Sequence, residues 1–357
     1  MPRARRTLGF LAATLAVALT ACGDGDEASG PGQTPAPAVP PSPTQPSQVE
    51  VSGDISPVHD PAVIENGGTY FLFTTGNRND AEGLLAVRTS PDLRTWTWRG
   101  AVFPDIPEWA KTSIPGTGGI WAPDIIEHDG EYRLYYSVST FGKNRSAIGL
   151  TVADTLDPAA PASGWTDRGT VVESHAEDDY NAIDPSVFVD AEGRHWMAFG
   201  SFWSGIKMVE LDPATGKRLA GKTAMHSLAE RPSPGAIEAP FVIRRDGYYY
   251  LFASFDFCCR GAKSSYNTVV GRSVSPTGPY VARDGTPMLE GGGTPVLASG
   301  QDDSSRYVGR GHVAILQDSG QYYIIYHAYD TQRTGTPTLR IRRLTWTDDG
   351  WPVAEQD

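Results

Sequence analysis

The chain has 357 residues, of which 39% are hydrophobic, and this is enough for a large buried core. Its 39 glycines and 28 prolines favour many short strands and turns over long helices, so an all-β fold is expected. The formal net charge of −12 argues against nucleic acid or an anionic membrane surface as a ligand.

The first 48 residues predict export rather than a folded domain. An apolar run from Leu8 to Thr20 follows a basic start and is too short to span a membrane, so residues 1–21 are predicted to be a secretory signal. Residues 19–22 (Leu-Thr-Ala-Cys) resemble the lipobox of bacterial lipoproteins, which implies a lipidated Cys22; the alternative is an ordinary signal peptide with a chance cysteine. Residues 22–48 are rich in Gly, Pro and Ser and are expected to form a tether. We therefore expect an exported protein that touches a membrane only through this anchor, at the bacterial cell surface or in the periplasm.

One pattern occurs five times within residues 49–357: a polar or aromatic residue, an apolar strand, a turn and an aromatic strand. The five aromatic strands lie 53 to 74 residues apart and are marked by Tyr70, Tyr132, Trp196, Tyr249 and Tyr323. Each interval accommodates a four-stranded antiparallel unit with its loops. Units of this kind arranged around an axis make a propeller, so residues 49–357 are predicted to be a five-bladed β-propeller.

The start of each blade's first strand is the most informative position, because these positions converge at one mouth of the central channel. Alignment on the aromatic strands predicts that the position is occupied by Asp60, by Trp121 or Ala122, by Asp184, by Glu238 and by His312. Any single Asp-Pro pair is also explained as a turn. Three acids at one repeated position, each ahead of a strand that is to be buried, instead predict a functional site.

The types of residue at this mouth indicate acid and base chemistry. No Ser–His pair, catalytic cysteine or Gly-rich phosphate loop accompanies the three acids in the sequence. Hydrolysis of a glycosidic bond needs one protonated acid for the leaving oxygen and one ionised carboxylate on the other face of the sugar. A third carboxylate nearby raises the pKa of the acid.

Eight motifs, taken together and in order, resemble the family 43 glycoside hydrolases and, within them, the endo-1,5-α-L-arabinanases. The motifs are His59–Pro61, Trp121–Asp124, Asn181–Pro185, Gly200–Ile206, Gly235–Pro240, Cys258–Gly261 with Ser265–Asn267, Gly291–Thr294, and Gly311-His312. The resemblance implies endo cleavage of α-1,5-linked arabinofuranosyl bonds in arabinan with inversion of configuration. It implies Asp60 as general base, Glu238 as general acid, and Asp184 as the residue that raises the pKa of the acid and orients it. Inversion requires the base and acid carboxyls ~6.5–9.5 Å apart.

Further roles follow from the resemblance or from position. His312 is implied to bind one metal ion in the channel, calcium or alternatively sodium, although a core histidine or a substrate contact would also explain it. Trp121 is expected to form a platform under a sugar ring, with core packing as the alternative. The remaining expected substrate-binding residues are Asn181, Ser201, Phe202 and Trp203. His59 is expected to brace Asp60.

Three questions stay open in the sequence. The adjacent Cys258 and Cys259 form either a strained vicinal disulfide or two buried thiols. An exo-acting α-L-arabinofuranosidase or β-xylosidase of the same family is the first alternative function, and a surface glycan-binding propeller without catalysis is the second. A monomer is expected.

Overall fold

The computed structural model describes residues 48–298 and 306–356. The predicted signal peptide, the lipidated Cys22 and the tether up to residue 47 lie outside the described residues. Within the described part, no helix has both the length and the apolar character needed to cross a membrane.

The described strands form five sheets, which are the five blades of a β-propeller. Blade 1 contains β2 (Ser52–Gly53), β3 (Ala62–Asn66), β4 (Thr69–Thr74), β6 (Leu84–Ser90) and β7 (Thr95–Phe103). Blade 2 contains β5 (Gly76–Asn77), β8 (Gly119–His128), β9 (Glu131–Val138), β10 (Ser146–Ala153) and β11 (Thr166–Ser174). Blade 3 contains β12 (Ser186–Val189), β13 (His195–Phe199), β14 (Ile206–Leu211) and β15 (His226–Ala229). Blade 4 contains β16 (Ile237–Arg245), β17 (Tyr248–Phe255), β18 (Asn267–Ser273) and β19 (Thr294–Leu297). Blade 5 contains β1 (Gln48–Val49), β20 (Tyr307–Asp318), β21 (Gln321–Asp330), β22 (Thr336–Trp346) and β23 (Pro352–Ala354).

Helical structure in the described residues is limited to short connections. Helix α1 (Glu108–Ser113) lies between blades 1 and 2. Three short 3₁₀ helices are Gly261–Lys263, Met288–Glu290 and Thr331–Arg333. The prediction of an all-β fold is confirmed.

Tight hairpins join the first and second strands of four blades. In blade 4 the loop is Asp246-Gly247, whose φ angles of +50° and +81° match a two-residue turn that continues the strand twist. The equivalent loops are Gly67-Gly68, Asp129-Gly130 and Ser319-Gly320. This turn chemistry fixes the register in which each first strand pairs with its aromatic neighbour.

The hydrophobic core consists of layers between neighbouring blades. Successive side chains of a strand point to opposite faces, and both faces are buried here, so the second strands are continuous apolar runs. In β4, Phe71 and Phe73 pack in a cluster with blade 2, whereas Leu72 packs in a cluster with blade 5. Corresponding clusters join blades 2 and 3, blades 3 and 4, and blades 4 and 5. Five shared layers therefore hold the ring together.

The ring closes between blades 1 and 5. β1 pairs with β22 in an antiparallel arrangement, Gln48 opposite Arg342 and Val49 opposite Ile341. Val49 is buried in the same cluster as Leu72. The first described residues thus belong to the last blade, and the predicted five-bladed propeller is confirmed.

Candidate active site

Each blade carries a non-glycine residue in left-handed backbone conformation within its first strand or two residues before that strand. These residues, which we call the channel position, have φ between +42° and +59° and are Asp60, Ala122, Asp184, Ala239 and His312. A left-handed conformation costs a residue with a side chain ~1–2 kcal/mol, and such strain persists mainly at functional sites. The repeated position predicted from the sequence therefore exists.

The expected place of Glu238 at this position is wrong by one residue. Ala239 occupies the channel position of blade 4, and Glu238 lies directly before it, where blade 2 has Trp121. The three tyrosines 248–250 permit an alignment shifted by one residue, and the pairing of β16 with β17 breaks register between Glu238 and Phe241. Glu238 thus enters the site from a different backbone position than Asp60 and Asp184.

Hydrogen bonds between neighbouring blades hold the channel positions in place. In four blades the backbone N–H of the channel position donates to a side chain in the second half of the second strand of the preceding blade, or directly after that strand. The pairs are Ala122 to Thr75 Oγ1 (2.8 Å), Asp184 to Ser137 Oγ (2.9 Å), His312 to Ser254 Oγ (2.9 Å) and Asp60 to His327 Nδ1 (3.2 Å). Blade 3 has Gly200 at the equivalent place, and glycine has no side chain to accept a bond. The N–H of Ala239, the channel position of blade 4, donates instead to Asp184 Oδ2 at 3.1 Å. The same bond that completes the ring therefore orients the Asp184 carboxylate.

Asp60 lies at the centre of a network of hydrogen-bond donors. Its Oδ1 is 2.8 Å from Nδ1 of His59 and 3.0 Å from Nδ1 of His312, and its Oδ2 accepts a bond of 2.6 Å from Thr75 Oγ1. The expected bracing contact of His59 is present. Nε2 of His59 lies 2.7 Å from Tyr329 Oη, which extends the network to blade 5.

The electrostatics of this network keep Asp60 ionised. Burial alone would raise the pKa of Asp60, but His312 and His59 hold it well below its usual value. Burial likewise opposes a charge on His312, and the carboxylate of Asp60 outweighs it and raises the histidine pKa to about 9. An ionised, buried carboxylate is the form that a general base needs.

Asp184 and Glu238 show the opposite behaviour. Burial raises the pKa of both carboxyls, and their mutual repulsion adds to the shift of Asp184. Hydrogen bonds from Ser201, whose Oγ lies 2.7 Å from Glu238 Oε2, and from Tyr266 oppose the shift of Glu238 without reversing it. The raised pKa values mean that Asp184 and Glu238 together tend to retain a proton, whereas the lowered pKa of Asp60 means that it tends to lose its proton. Carboxyls whose pKa values are pushed apart are typical of paired acid and base roles.

A single cavity of about 1160 Å³ brings these groups together. All the residues predicted for the site line it: Asp60, Trp121, Asn181, Asp184, Ser201, Phe202, Trp203, Glu238 and His312. The volume exceeds the ~300–1000 Å³ of pockets that hold one drug-sized ligand. The volume therefore suits a ligand of several rings.

The family model for glycosyl hydrolases family 43 matches residues 55–352, which include every residue of the cavity. The chain belongs to glycosyl hydrolase family 43. Membership makes it a glycoside hydrolase, as its buried carboxyls indicate.

The names of several similar proteins refer to enzymes that act on α-1,5-linked arabinose chains. The chain is 42% identical over 312 residues to an extracellular exo-α-(1→5)-L-arabinofuranosidase of Cellvibrio japonicus, covering 84% of this chain and 86% of that protein. It is also 42% identical over 297 residues to an extracellular endo-α-(1→5)-L-arabinanase of Bacillus subtilis, covering 83% and 87%. The structure of a family 43 endo-arabinanase from Bacillus licheniformis matches with a TM-score of 0.77 and 42% identity, covering 85% of this chain and 99% of that one. Similarity alone does not separate endo from exo cleavage.

Several predicted substrate-binding residues have protein partners in this family 43 site. Nε1 of Trp121 donates to Asn77 Oδ1 at 3.0 Å, which fixes the indole at the cavity wall. Oδ1 of Asn181 accepts from Ser146 Oγ at 2.7 Å, and Ser201 bonds Glu238. Phe202 and Trp203 follow β13 in a turn with φ of +55° and +42°, and Trp203 is 42% exposed. Their contacts with a sugar stay predictions.

His312 fits the chemistry of a metal ligand. A histidine that binds a metal usually donates its other ring N–H to a carboxylate, and Nδ1 of His312 lies 3.0 Å from Asp60 Oδ1. The second ring nitrogen, Nε2, is then the atom that would bind the ion. His59, Asp60 and His327 also place ligand atoms within 4.8 Å of one another, but Nδ1 of both histidines already serves Asp60.

Four functional contacts were missed in the sequence. Thr75, His327 and Tyr329 act on the base, and Tyr266 acts on Glu238. A signal existed for two of them: Thr75 follows Tyr70 by five residues, as Ser137 follows Tyr132 and Ser254 follows Tyr249, and His327 follows Tyr323 by four. Tyr266 lies in the Ser265–Asn267 motif, for which no role was predicted, and nothing local in the sequence marks Tyr329.

Proposed function

We propose that this protein is an endo-acting hydrolase that cleaves α-1,5-linked L-arabinofuranosyl bonds in arabinan with inversion of configuration. The observation that carries the proposal is the contrast within one cavity between Asp60, whose pKa is held well below its usual value, and the neighbouring Asp184 and Glu238, whose pKa values are raised by burial. This contrast supplies a base and an acid at neutral pH, as glycoside hydrolysis by inversion requires.

In the proposed reaction, Asp60 removes a proton from a water molecule that attacks the anomeric carbon. Thr75 and His312 hold the Asp60 carboxylate in place by the bonds described above. Glu238 gives its proton to the oxygen of the leaving sugar. Asp184, whose carboxyl is oriented by the Ala239 N–H, and Glu238 repel each other when both are ionised, so the pair tends to retain one proton, which Glu238 passes to the leaving oxygen.

Endo cleavage is supported by the size of the cavity and by aromatic side chains contributed by separate blades. Phe141 of the β9–β10 loop is 78% exposed and Trp203 of the β13–β14 loop is 42% exposed, and both line the cavity. Exposed rings of this kind offer stacking surfaces for more than one sugar. Relatives named for endo and for exo activity are equally similar, so product analysis decides.

The test is digestion of linear α-1,5-arabinan followed by chromatography at low conversion. We expect mixed arabino-oligosaccharides from the wild type and almost none from Glu238→Gln. Free arabinose as the sole early product would assign the exo activity instead. Binding of arabinan without any release of reducing ends, in both proteins, would favour the glycan-binding alternative.

We also propose that His312 helps to hold one calcium or sodium ion in the channel, with water completing the shell. The ion would supply positive charge near the carboxyls. A hard cation prefers oxygen ligands, so water would supply most of its shell, and the Asp60 bond orients the His312 ring towards it. We expect removal of the ion, by a chelator for calcium or by exchange of sodium for a bulky organic cation, to lower the melting temperature of the wild type and to leave His312→Gln unchanged; equal responses under both treatments would contradict this role.

We propose export, with a lipid anchor at Cys22 and a monomeric catalytic domain. Two similar proteins are named as extracellular, and the sequence before residue 48 has the features of a lipoprotein leader. A Cys22→Ala variant is expected to move from the membrane fraction to the soluble exported fraction. Retention of that variant in the membrane would contradict the anchor.

A further inference from the structure

Cys258 and Cys259 lie in the wall of the cavity, in the loop that follows β17. Both are free thiols; Cys259 is exposed and Cys258 is partly buried. The proposed hydrolysis gives neither thiol a role. Two adjacent thiols in the wall of a catalytic cavity call for a separate explanation.

Cys259 is connected to the base by its side chain and by its backbone. Its Sγ is 3.9 Å from Nε2 of His59, and its N–H donates to Tyr329 Oη at 2.7 Å. The same Tyr329 oxygen lies 2.7 Å from His59 Nε2, and His59 Nδ1 lies 2.8 Å from Asp60 Oδ1. A change at Cys259 therefore reaches Asp60 through two hydrogen-bonded residues.

The two thiols differ in reactivity. A hydrogen bond from Cys258, followed by the contact with His59, lowers the pKa of the Cys259 thiol to about 5. These contacts outweigh burial, which alone would raise the pKa. The hydrogen bond with Cys259 and burial raise the pKa of Cys258. A low-pKa, exposed cysteine beside a second cysteine is the arrangement in which one thiol attacks and the other resolves.

We propose that Cys259 is a covalent modification site for low-molecular-weight disulfides, and that Cys258 resolves the adduct to a vicinal disulfide that switches off hydrolysis. In the first step the Cys259 thiolate attacks one sulfur of oxidised glutathione, forms a mixed disulfide and expels one glutathione thiolate. In the second step Cys258 gives its proton to that thiolate, attacks Cys259 Sγ and expels the second glutathione. Two protein thiols are oxidised and one small disulfide is reduced to two thiols.

Loss of activity follows from where the new bond forms. Neighbouring Cα atoms are ~3.8 Å apart, below the usual disulfide range, so closing the ring must move the Cys259 backbone. That movement breaks the bond from the Cys259 N–H to Tyr329 and takes Sγ away from His59. Since misplacing a catalytic group by ~1 Å can cost about 100-fold in rate, we expect at least about a tenfold loss.

The experiment treats the full-length protein with oxidised glutathione at pH 6 and compares each protein with its own untreated sample. Peptide mapping by mass spectrometry locates every modified cysteine and separates Cys22 from the pair. We expect the wild type to lose two hydrogens at Cys258 and Cys259 and to lose at least about tenfold in arabinan hydrolysis, with recovery after reduction. Cys258→Ser is expected to keep one glutathione on Cys259, and Cys259→Ser to remain unmodified at Cys258.

A rate measurement tests the reactivity without relying on the variants. At pH 6 the larger thiolate fraction of Cys259, offset by the lower nucleophilicity of a low-pKa thiol, predicts a reaction about five to ten times faster than that of free cysteine. Absence of modification at Cys259 in the native wild type would overturn the proposal. An oxidised wild type with activity within about twofold of the untreated sample would also overturn it.

The loss of hydrolysis rests on the proposed function, whereas the mass and rate measurements do not. A protein that is modified as expected but never hydrolyses arabinan contradicts the proposed function and leaves the modification site standing. A protein that hydrolyses arabinan but resists modification contradicts only the inference drawn from Cys259.

Discussion

Replacement of Glu238 by glutamine removes the proton of the proposed general acid while it preserves the size of the side chain. An amide oxygen accepts the 2.7 Å hydrogen bond from Ser201 Oγ as a carboxyl oxygen does. Glu238 is also buried, and burial disfavours its ionised form, so a neutral amide at this position carries no desolvation penalty for a charge. We therefore expect the fold and its melting temperature to change little.

The expected kinetic effect is large. General acid catalysis contributes about 10²- to 10⁴-fold, which is ~2.7–5.4 kcal/mol of transition-state stabilisation. Glu238 is only 8% exposed, so bulk water is a poor substitute for the missing proton donor. The loss in kcat/KM on linear arabinan is accordingly expected in the upper half of the range, about 10³- to 10⁴-fold.

The informative assay compares two leaving groups. A dinitrophenyl glycoside of an arabino-oligosaccharide needs no proton on its leaving oxygen, so Glu238→Gln should lose less than about tenfold on it. Asp60→Asn, the matched variant of the base, should lose about 10²-fold or more on both substrates because activation of water is still required. Equal losses of Glu238→Gln on arabinan and on the dinitrophenyl substrate would refute its role as general acid.

Three further predictions concern the residues around the acids. Ser137→Ala leaves the buried N–H of Asp184 without its acceptor, so the free energy of unfolding, measured in urea, should fall by ~1–3 kcal/mol and kcat should fall with it. In protein freed of any channel ion, His312→Gln should flatten the pH dependence of stability. The raised folded pKa of about 9 stabilises the ion-free wild type fully below pH ~6.5, and this stabilisation is lost as pH rises through about 9; chemical unfolding at several pH values measures this. Trp203→Ala should raise KM for arabinan about three- to tenfold with little change in kcat, as measured by initial rates, because an exposed ring in the cavity contributes to binding.

Each of these has a defined contrary result. Unchanged stability of Ser137→Ala would mean that the blade-to-blade bond to Asp184 contributes nothing. An ion-free wild type whose stability is as flat as that of His312→Gln between pH 6.5 and 9 would contradict a charged His312. A fall of kcat in Trp203→Ala with constant KM would place Trp203 in positioning rather than in binding.

The fold was largely predictable because each blade repeats one local code. Tyr70, Tyr132 and their equivalents mark second strands that are buried on both faces, and Asp-Gly or Gly-Gly pairs mark the hairpins before them. The number of copies then gives the number of blades. These features are local, so they can be read without knowing which residues meet in space.

The identity of the acids was predictable, but their exact backbone positions were not. Asp60 and Asp184 share the channel position, whereas Glu238 precedes Ala239, and a run of three tyrosines concealed the shift of one residue. The shift matters because it lets the Ala239 N–H bond Asp184 while Glu238 turns to Ser201.

The residues that contact and position the proposed catalytic groups were the least predictable part of the site. Tyr329 meets His59 and Cys259 from sequence distances of 270 and 70 residues. Its hydroxyl acts only through the way blade 5 closes against blades 1 and 4, and one sequence contains no local signal for such a contact. The link from Cys259 to the base emerged only from the three-dimensional arrangement.

The most direct test of the account follows the anomeric configuration of the new reducing ends. Proton NMR spectra recorded during the first minutes of hydrolysis of linear α-1,5-arabinan, before mutarotation, report which anomer the enzyme releases. Attack by water activated at Asp60, opposite the leaving oxygen that Glu238 protonates, predicts β-anomeric reducing ends on a mixture of oligosaccharides. Initial release of the α-anomer would contradict it.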